Sequence, residues 1–220
     1  AGVAGVARAD TVGLWCAAHR TQQRNIVMAA TPKILVFAGS TRAASFNKKL
    51  AGVAARAAEG AGADVTRLDL RDLAMPLYDG DLEAADGLPD NAQAFKAALV
   101  AHDGFLIASP EYNGLISAVL KNAIDWASRP QPDEPPAVAF RGKVAGIMAA
   151  SPGGLGGLRG LVHLRQLLTN LGVLVVPDQI AVAKAGHAFA EDGALADAGQ
   201  QASVAAIAER VCRTISKLSA

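Results

Sequence analysis

The segment Gly39–Asn47, GSTRAASFN, concentrates side chains that bind anions and lies far from any acid. No Asp or Glu occurs between Asp10 and Glu59, so a bound dianion would meet little like-charge repulsion there. A helix that begins within the segment would add unpaired backbone N–H groups and a partial positive charge. The pattern therefore predicts a phosphate site. Its donors would be the side chains of Ser40, Thr41, Arg42, Ser45 and Asn47.

The kind of phosphate follows from what the segment lacks. It has no Gly-Lys pair where a Walker A motif requires one, and it does not match GxGxxG. Chemistry on a nucleoside triphosphate also needs Mg²⁺ and an acidic partner, for which no candidate stands out. A terminal monophosphate bound without a metal fits these residues better. The alternative is that the hydroxyl and amide side chains only cap a helix, although one such residue suffices for a cap.

A second loop, Ser109–Gly114 or SPEYNG, has the composition of a rigid turn. Its proline stiffens the backbone, and its Asn-Gly pair permits positive φ. Tyr112 would offer an aromatic surface, and the loop's N–H groups would offer donors, to a planar heterocycle. An ordinary turn is the alternative interpretation.

A third loop, Ser151–Gly157 or SPGGLGG, is dense in glycine, which lets a backbone approach a ligand closely. Residues 149–153 half match the GxSxG elbow of serine hydrolases. In that elbow the residue after the serine donates its N–H to the oxyanion, and Pro152 has no N–H. We therefore expect a ligand-binding loop and not a hydrolase.

All three loops follow predicted strands. Apolar runs of strand length alternate with helical periodicity, which predicts βαβ units and a parallel sheet in one doubly wound α/β domain. Ligands of such sheets bind at the carboxyl edge, where the strand order reverses, so the loops should build one site. The predicted strands are Lys33–Ala38, Ala63–Leu68, Gly104–Ala108, Lys143–Ala150 and Val173–Val176.

Helices are predicted between these strands from apolar periodicity and capping residues. The Asp69–Pro89 segment reads as irregular, and Arg129–Pro136 reads as a proline-rich surface loop. The predicted helices start after Ser45 and end at Gly60, cover Asn91–Ala101, run from Ser117 through Trp126, cover Leu158–Leu171, and close the chain within Glu191–Leu218.

Composition excludes several classes of protein. The net charge of +1 gives no attraction to nucleic acid or membranes, and no run of 18 apolar residues suggests a membrane span. Cys16 and Cys212 are far apart and the histidines are scattered, so we expect no metal site, and reduced thiols in a cytoplasmic protein. Residues 1–31 are Arg-rich and acid-poor without clear periodicity. We expect them to lie outside the fold, as a targeting segment or as residues upstream of a natural start at Met28.

Three stretches together resemble one known family: GSTRAASFNKKLA, SPEYNGLISAVLKNAIDW and SPGGLGGLRGLVHLRQLLTNLG. They are similar, in order and interval, to the NADPH-dependent FMN reductases, and most to the bacterial chromate and quinone reductases. The likeness covers about Lys33–Leu218. It implies a flavodoxin-like three-layer α/β/α sandwich with a five-stranded parallel sheet in the order 2-1-3-4-5, spanning residues 32–220, and noncovalently bound FMN.

The resemblance also assigns residues to the cofactor. The FMN phosphate would lie in the first loop, the isoalloxazine ring against the second, and the third would close the other side. Ser117-Ala118 departs mildly from the family's usual Ser-Gly after the second loop. The implied cofactor residues are Ser40, Arg42, Ser45, Phe46, Asn47, Pro110, Glu111, Tyr112, Asn113, Gly114, Ser151, Gly153 and Gly154.

The activity implied by the resemblance is hydride transfer from NADPH or NADH, through FMN, to small-molecule acceptors in ping-pong fashion. Those acceptors would be quinones, flavins, azo compounds or metal oxyanions such as chromate, with no side chain as acid, base or nucleophile. Arg159 or Arg165 could steer nucleotide phosphates, or could be ordinary solvated charges. The family also implies a homodimer or homotetramer, for which Trp126 and the Arg129–Pro136 loop are candidate contacts, although Trp126 has the spacing of a core residue.

Two alternatives remain at this point. One is a flavodoxin-like electron carrier without its own NAD(P)H turnover, but such carriers are usually strongly acidic and this chain is not. The other is a non-catalytic nucleotide-binding protein. Direct oxidation of NAD(P)H with turnover separates the enzyme from both.

Overall fold

The computed structural model describes residue 2 and residues 30–219. Of the predicted extension, residues 1–31, all but residues 2, 30 and 31 therefore lie outside the described part, as does Cys16. Five strands form the main sheet, and two short ones form a hairpin. The strands are β1 Lys33–Ala38, β2 Asp64–Asp69, β3 Gly104–Ala108, β4 Glu111–Tyr112, β5 Leu115–Ile116, β6 Val144–Ala150 and β7 Leu174–Val182.

The main sheet is parallel throughout, in the order β2-β1-β3-β6-β7. Counting only its own five strands, this is the predicted order 2-1-3-4-5. The carboxyl ends of β1 and β3 are level, because Ala38 pairs with Ala108. The strand order reverses between these strands, and the first and second loops both start there.

Helices cover both faces of the sheet, which confirms the three-layer sandwich. Strand β1 alternates between two cores: Ile34 and Val36 face one, and Leu35 and Phe37 face the other. Helices α1 and α6 pack on the first core, and α3, α4 and α5 on the second. The helices are α1 Phe46–Gly60, α2 Gly80–Asp86, α3 Asp90–Val100, α4 Ala118–Ser128, α5 Leu158–Asn170 and α6 Ala198–Leu218.

Two sequence-based assignments were wrong. The Asp69–Pro89 segment is not wholly irregular, because it contains α2, capped by the Asp79 carboxylate at 2.8 Å from Asp81 N. The last strand continues six residues beyond the predicted Val176, to Val182. The closing helix, in contrast, lies within the predicted range Glu191–Leu218: it covers Ala198–Leu218, and the Asp197 side chain caps it by accepting a hydrogen bond from Gln200 N.

Trp126 is a core residue and not an exposed contact for another subunit. Its ring is fully buried beside Leu88 and Ala92, and its Nε1–H donates to Pro76 O at 2.9 Å. Tyr78 packs edge-to-face on it with ring centroids 5.0 Å apart. The indole therefore fixes the segment between β2 and α3 onto α4.

Within residues 30–219, no helix has the length and apolar character needed to cross a membrane. In the same residues no cluster of three or more potential metal ligands occurs. Cys212 is a free thiol, and burial raises its pKa.

Candidate functional site

The three loops meet in one cleft of about 220 Å³ at the carboxyl edge of the sheet. The sequence-based expectation of a single shared site is therefore correct in its geometry. Four of the residues implied by the resemblance, Asn113, Gly114, Gly153 and Gly154, belong to the same loops but do not line the cleft. The lining residues are Ser40, Arg42, Ser45, Phe46, Asn47, Pro110, Glu111, Tyr112, Ala150, Ser151 and Pro152.

The first loop is fixed between β3 and the start of α4. Gly39 N donates to Ala108 O at 2.9 Å, and Ser117 Oγ donates to Gly39 O at 2.6 Å. A Cβ at position 39 would lie 2.9 Å from Leu120 Cδ2, so only glycine allows this approach. Ser117 also caps α4 through Leu120 N, as predicted, and thus holds the loop and the helix together.

The first loop leads directly into α1, and its Ser45 side chain is not used as a cap. Ser45 occupies the N-cap position with extended backbone angles, yet its side chain makes no capping bond, and its residue is buried. The first turn of α1 contains no acid. Unpaired N–H groups, the helix dipole and nearby hydroxyls therefore point to an anion at this position, and they fit a phosphate monoester.

Asn47 has a structural role that its residue type did not predict. Its Nδ2 donates to Ala150 O, and its Oδ1 accepts from Ala150 N, both at 2.9 Å. The buried amide thus pairs with both backbone groups at the end of β6 and ties the start of α1 to the third loop. These contacts are structural, and they use only one of the two N–H groups on Nδ2.

The second loop is a β-hairpin with a two-residue turn, whereas the sequence predicted a rigid turn without strands. Asn113 and Gly114 have φ of 54° and 86°, as the Asn-Gly pair predicted. Strands β4 and β5 flank them. The side chain of Tyr112 lies at the cleft and the residue is 58% exposed. An aromatic face is therefore open to solvent beside the anion-binding loop.

Glu111 anchors this hairpin to the start of α5. Its carboxylate accepts hydrogen bonds from Arg159 N at 3.0 Å, Gly160 N at 3.2 Å and Arg159 Nε at 2.7 Å. Burial works to raise the pKa of Glu111, but the hydrogen bonds from Arg159 and Gly160 outweigh it and hold the pKa below the ordinary value of 4.5. The negative charge is thereby neutralised at the edge of the cleft.

The two arginines considered for steering nucleotides both form hydrogen bonds within the protein. Arg159 pairs with Glu111, as described. Arg165 donates to the carbonyl oxygens of Val175 and Val176, the latter at 2.8 Å, and to Gln179 Oε1 at 2.9 Å. Arg165 therefore supports the edge strand β7, and it is neither a steering charge nor simply solvated.

The third loop owes its shape to glycines other than the two singled out from the sequence. Gly156 and Gly157 have φ of 64° and 95°, and a Cβ at Gly156 would lie 2.7 Å from Ala181 C. At Gly154, in contrast, a Cβ would meet nothing within 4 Å. Gly153 N donates to Ser151 Oγ at 3.3 Å, which turns this serine toward its own loop.

Comparison with known proteins agrees with this architecture. The sequence profile of the NADPH-dependent FMN reductases matches residues 32–187. An NAD(P)H-dependent FMN reductase of Pseudomonas aeruginosa is 39% identical over 167 residues, covering 75% of this chain and 85% of that protein. A quinone reductase of Escherichia coli K12 is 37% identical over 145 residues, covering 66% and 73%.

A solved structure shows the same fold. It is FerB, a flavoenzyme NAD(P)H:(acceptor) oxidoreductase from Paracoccus denitrificans, with a TM-score of 0.72 and 28% identity. The match covers 85% of this chain and 98% of FerB. The profile match, the relatives and the shared topology lead to one conclusion: the chain belongs to the NADPH-dependent FMN reductase family of oxidoreductases.

Proposed function

We propose that this protein binds FMN in the three-loop cleft and transfers hydride from NADPH or NADH to small-molecule acceptors. The observation that carries the proposal is the convergence of an acid-free helix start, an exposed aromatic hairpin and a glycine-rich loop on one cleft. When bound, FMN supplies the chemistry, accepting hydride from the nucleotide and passing electrons on. The chain's own residues bind the cofactor and position it.

The phosphate would be held by the start of α1. Backbone N–H groups of its first turn, the hydroxyls of Ser40 and Ser45, and the guanidinium of Arg42 surround that part of the cleft. The ring would lie against Pro110–Asn113, with backbone N–H groups of the hairpin as donors and Gly114 allowing the turn. On the opposite side Ser151 lines the cleft, and we propose that Gly153 and Gly154, which follow it in the same loop, come close to the ring when the cofactor binds.

The open side of the cleft suits two substrates that bind in succession, so we propose ping-pong turnover. Quinones and flavins are the leading acceptors, because relatives at 37–39% identity are a quinone reductase and an FMN reductase. Azo compounds and chromate are further candidates, since a flat aromatic edge and an electropositive loop can receive planar and anionic oxidants. We also propose a cytoplasmic homodimer or homotetramer in which residues 32–220 form the FMN-binding domain.

The alternative, an electron carrier without NAD(P)H turnover, makes a different prediction. Protein docking by such carriers relies on strong negative charge, and this chain has a net charge of +1. Anaerobic mixing of the FMN-loaded protein with NADPH or NADH, followed by a panel of quinones, flavins, azo dyes and chromate, separates the two. Catalytic turnover of nucleotide identifies the enzyme, and no bleaching of the flavin by either nucleotide identifies the carrier.

The cofactor site itself is tested by Arg42→Ala. Loss of a charge-assisted hydrogen bond is worth about 1.5–3 kcal/mol, which corresponds to about 10- to 150-fold weaker FMN binding. Arg67→Ala is the matched control, because Arg67 is an exposed arginine paired with Glu59 at 2.9 Å and does not line the cleft. Equal FMN affinities for the two variants would place the phosphate elsewhere.

A further inference from the structure

We propose that Phe189, which lies outside the cleft, positions Arg42 for the cofactor phosphate by supporting the ring of Phe46. The inference rests on the proposed FMN site and deepens it. Phe189 lies two residues beyond the part of the chain matched by the family profile, 32–187. This support would make affinity for the phosphate depend on a residue that does not line the cleft.

Four side chains form a connected row beside the anion-binding loop. The guanidinium carbon of Arg42 lies 5.4 Å from the centroid of the Phe46 ring. The rings of Phe46 and Phe189 are parallel within 1°, with centroids 6.4 Å apart. Lys49 Nζ lies 5.7 Å from the centroid of Phe189. Both cations are thus within the range of attraction to an aromatic face.

The segment that carries Phe189 is closed and anchored, so the ring has a fixed place. Phe189 and Leu195 form an isolated antiparallel bridge, and Ala190 N donates to Ala194 O at 2.9 Å. Leu195 is buried in the core shared by α1 and α6. Arg56, on α1, donates to Gly193 O at 2.7 Å and ties the segment to the helix that begins at the cleft.

The physical reason for the support is the freedom of Arg42. Its residue is exposed, and a free arginine side chain loses up to about 2 kcal/mol of rotamer entropy when it binds. A cation held over an aromatic face has already lost part of that freedom. Phe46 is only partly buried, and the parallel ring of Phe189 packs on it beside the core, so Phe189 helps to keep the Phe46 ring in this orientation.

The test compares FMN with riboflavin, which lacks the phosphate, by quenching of flavin fluorescence. We expect Phe189→Ala to weaken FMN binding about two- to fivefold, the scale of an exposed cation–aromatic interaction, and to leave riboflavin binding unchanged. Phe189→Tyr keeps the ring and should retain wild-type affinity for FMN. An equal loss for FMN and riboflavin would overturn the proposal, because it would mean that Phe189 only packs.

A double-mutant cycle gives an independent answer, and it decides alone if riboflavin binds too weakly to measure. In the Arg42→Ala background, Phe189→Ala should have no further effect on FMN affinity, whereas additive losses would overturn the inference. If Arg42→Ala itself has no effect, the proposed phosphate site fails. If Arg42→Ala weakens binding and Phe189→Ala does not, only the present inference fails. Unchanged thermal unfolding of the cofactor-free variants controls for the fold.

Discussion

We expect the hydrogen bonds from backbone N–H groups to the Glu111 carboxylate to stabilise the hairpin at the cleft more than the ion pair between Glu111 and Arg159 does. The side chain of Glu111 is 7% exposed, whereas that of its partner Arg159 is 63% exposed. Two of its hydrogen bonds go to N–H groups in the first turn of α5, which has no capping side chain of its own. Glu111 therefore caps a helix from a distant part of the chain.

The expected losses of stability differ between substitutions of Arg159 and of Glu111. The guanidinium of the ion pair is exposed, and the two backbone N–H groups would still bind the carboxylate without it, so Arg159→Ala should lower the free energy of unfolding by no more than about 1 kcal/mol. Removing a buried acceptor from two N–H groups should cost about 2–3 kcal/mol, which we expect for Glu111→Ala. Glu111→Gln keeps one acceptor and the shape but loses the charge, so it should cost about 1–2 kcal/mol.

The charge of Glu111 also makes its contribution to stability depend on pH. Because the pKa of folded Glu111 is lowered, its contribution is fully present above the ordinary pKa of 4.5 and is lost as pH falls through the folded pKa. The gap between wild type and Glu111→Gln should therefore close in acid. Asp69 and Glu83 also have lowered pKa values, but they titrate in both proteins and cancel in the difference.

Urea denaturation of the three variants and the wild type, each at neutral and at acidic pH, measures these differences. The reasoning is refuted if Arg159→Ala costs as much as Glu111→Ala, since the ion pair would then hold the hairpin. It is also refuted if the gap between wild type and Glu111→Gln stays constant as the pH falls.

Three further substitutions test the other contacts that hold the loops in place. Asn47→Ala removes both partners of the buried Ala150 backbone groups, so it should cost about 2–4 kcal/mol in urea denaturation; a loss below about 1 kcal/mol would contradict the structural role. Gly156→Ala places a Cβ at 2.7 Å from Ala181 C at positive φ and should cost at least about 2 kcal/mol, whereas Gly154→Ala, with open space, should change stability by less than about 0.5 kcal/mol. Similar thermal midpoints for these two glycine variants would argue against the observed loop.

Strands β1, β3 and β6 were predictable because they are apolar on both faces. Strand β7 was predicted too short, since Pro177 and Asp178 interrupt the apolar run. It lies at the edge of the sheet, where a residue without an N–H is tolerated. Helix α2 was missed because it buries no residue and therefore has no apolar period. The strand order came only from the resemblance, because pairing is set by tertiary contacts.

Some features of the candidate site were likewise predictable from the sequence, and others were not. Local composition identified the loops and their donors, since hydroxyls, glycines and the absence of acids are visible within a few residues. It could not show which polar groups are already used. Asn47 finds its partner 103 residues away, and Glu111 finds Arg159 48 residues away. Residue type alone therefore assigned to the ligand an amide that the structure uses to join two loops.

The contacts of Asn47 and Glu111 also affect how the cleft would bind a ligand. The start of α1 is held by Asn47, and the hairpin by Glu111, so the backbone N–H groups at the cleft are oriented before any ligand arrives. Arg42 is different, because it reaches the cleft from an exposed position, with its guanidinium over the ring of Phe46. Removing the side chain of Asn47 or Glu111 should therefore lower both the stability of the protein and its affinity for FMN. Removing the side chain of Arg42 should lower the affinity alone. A substitution of Arg42 that weakened FMN binding only in proportion to lost stability would show that the guanidinium, too, serves the fold.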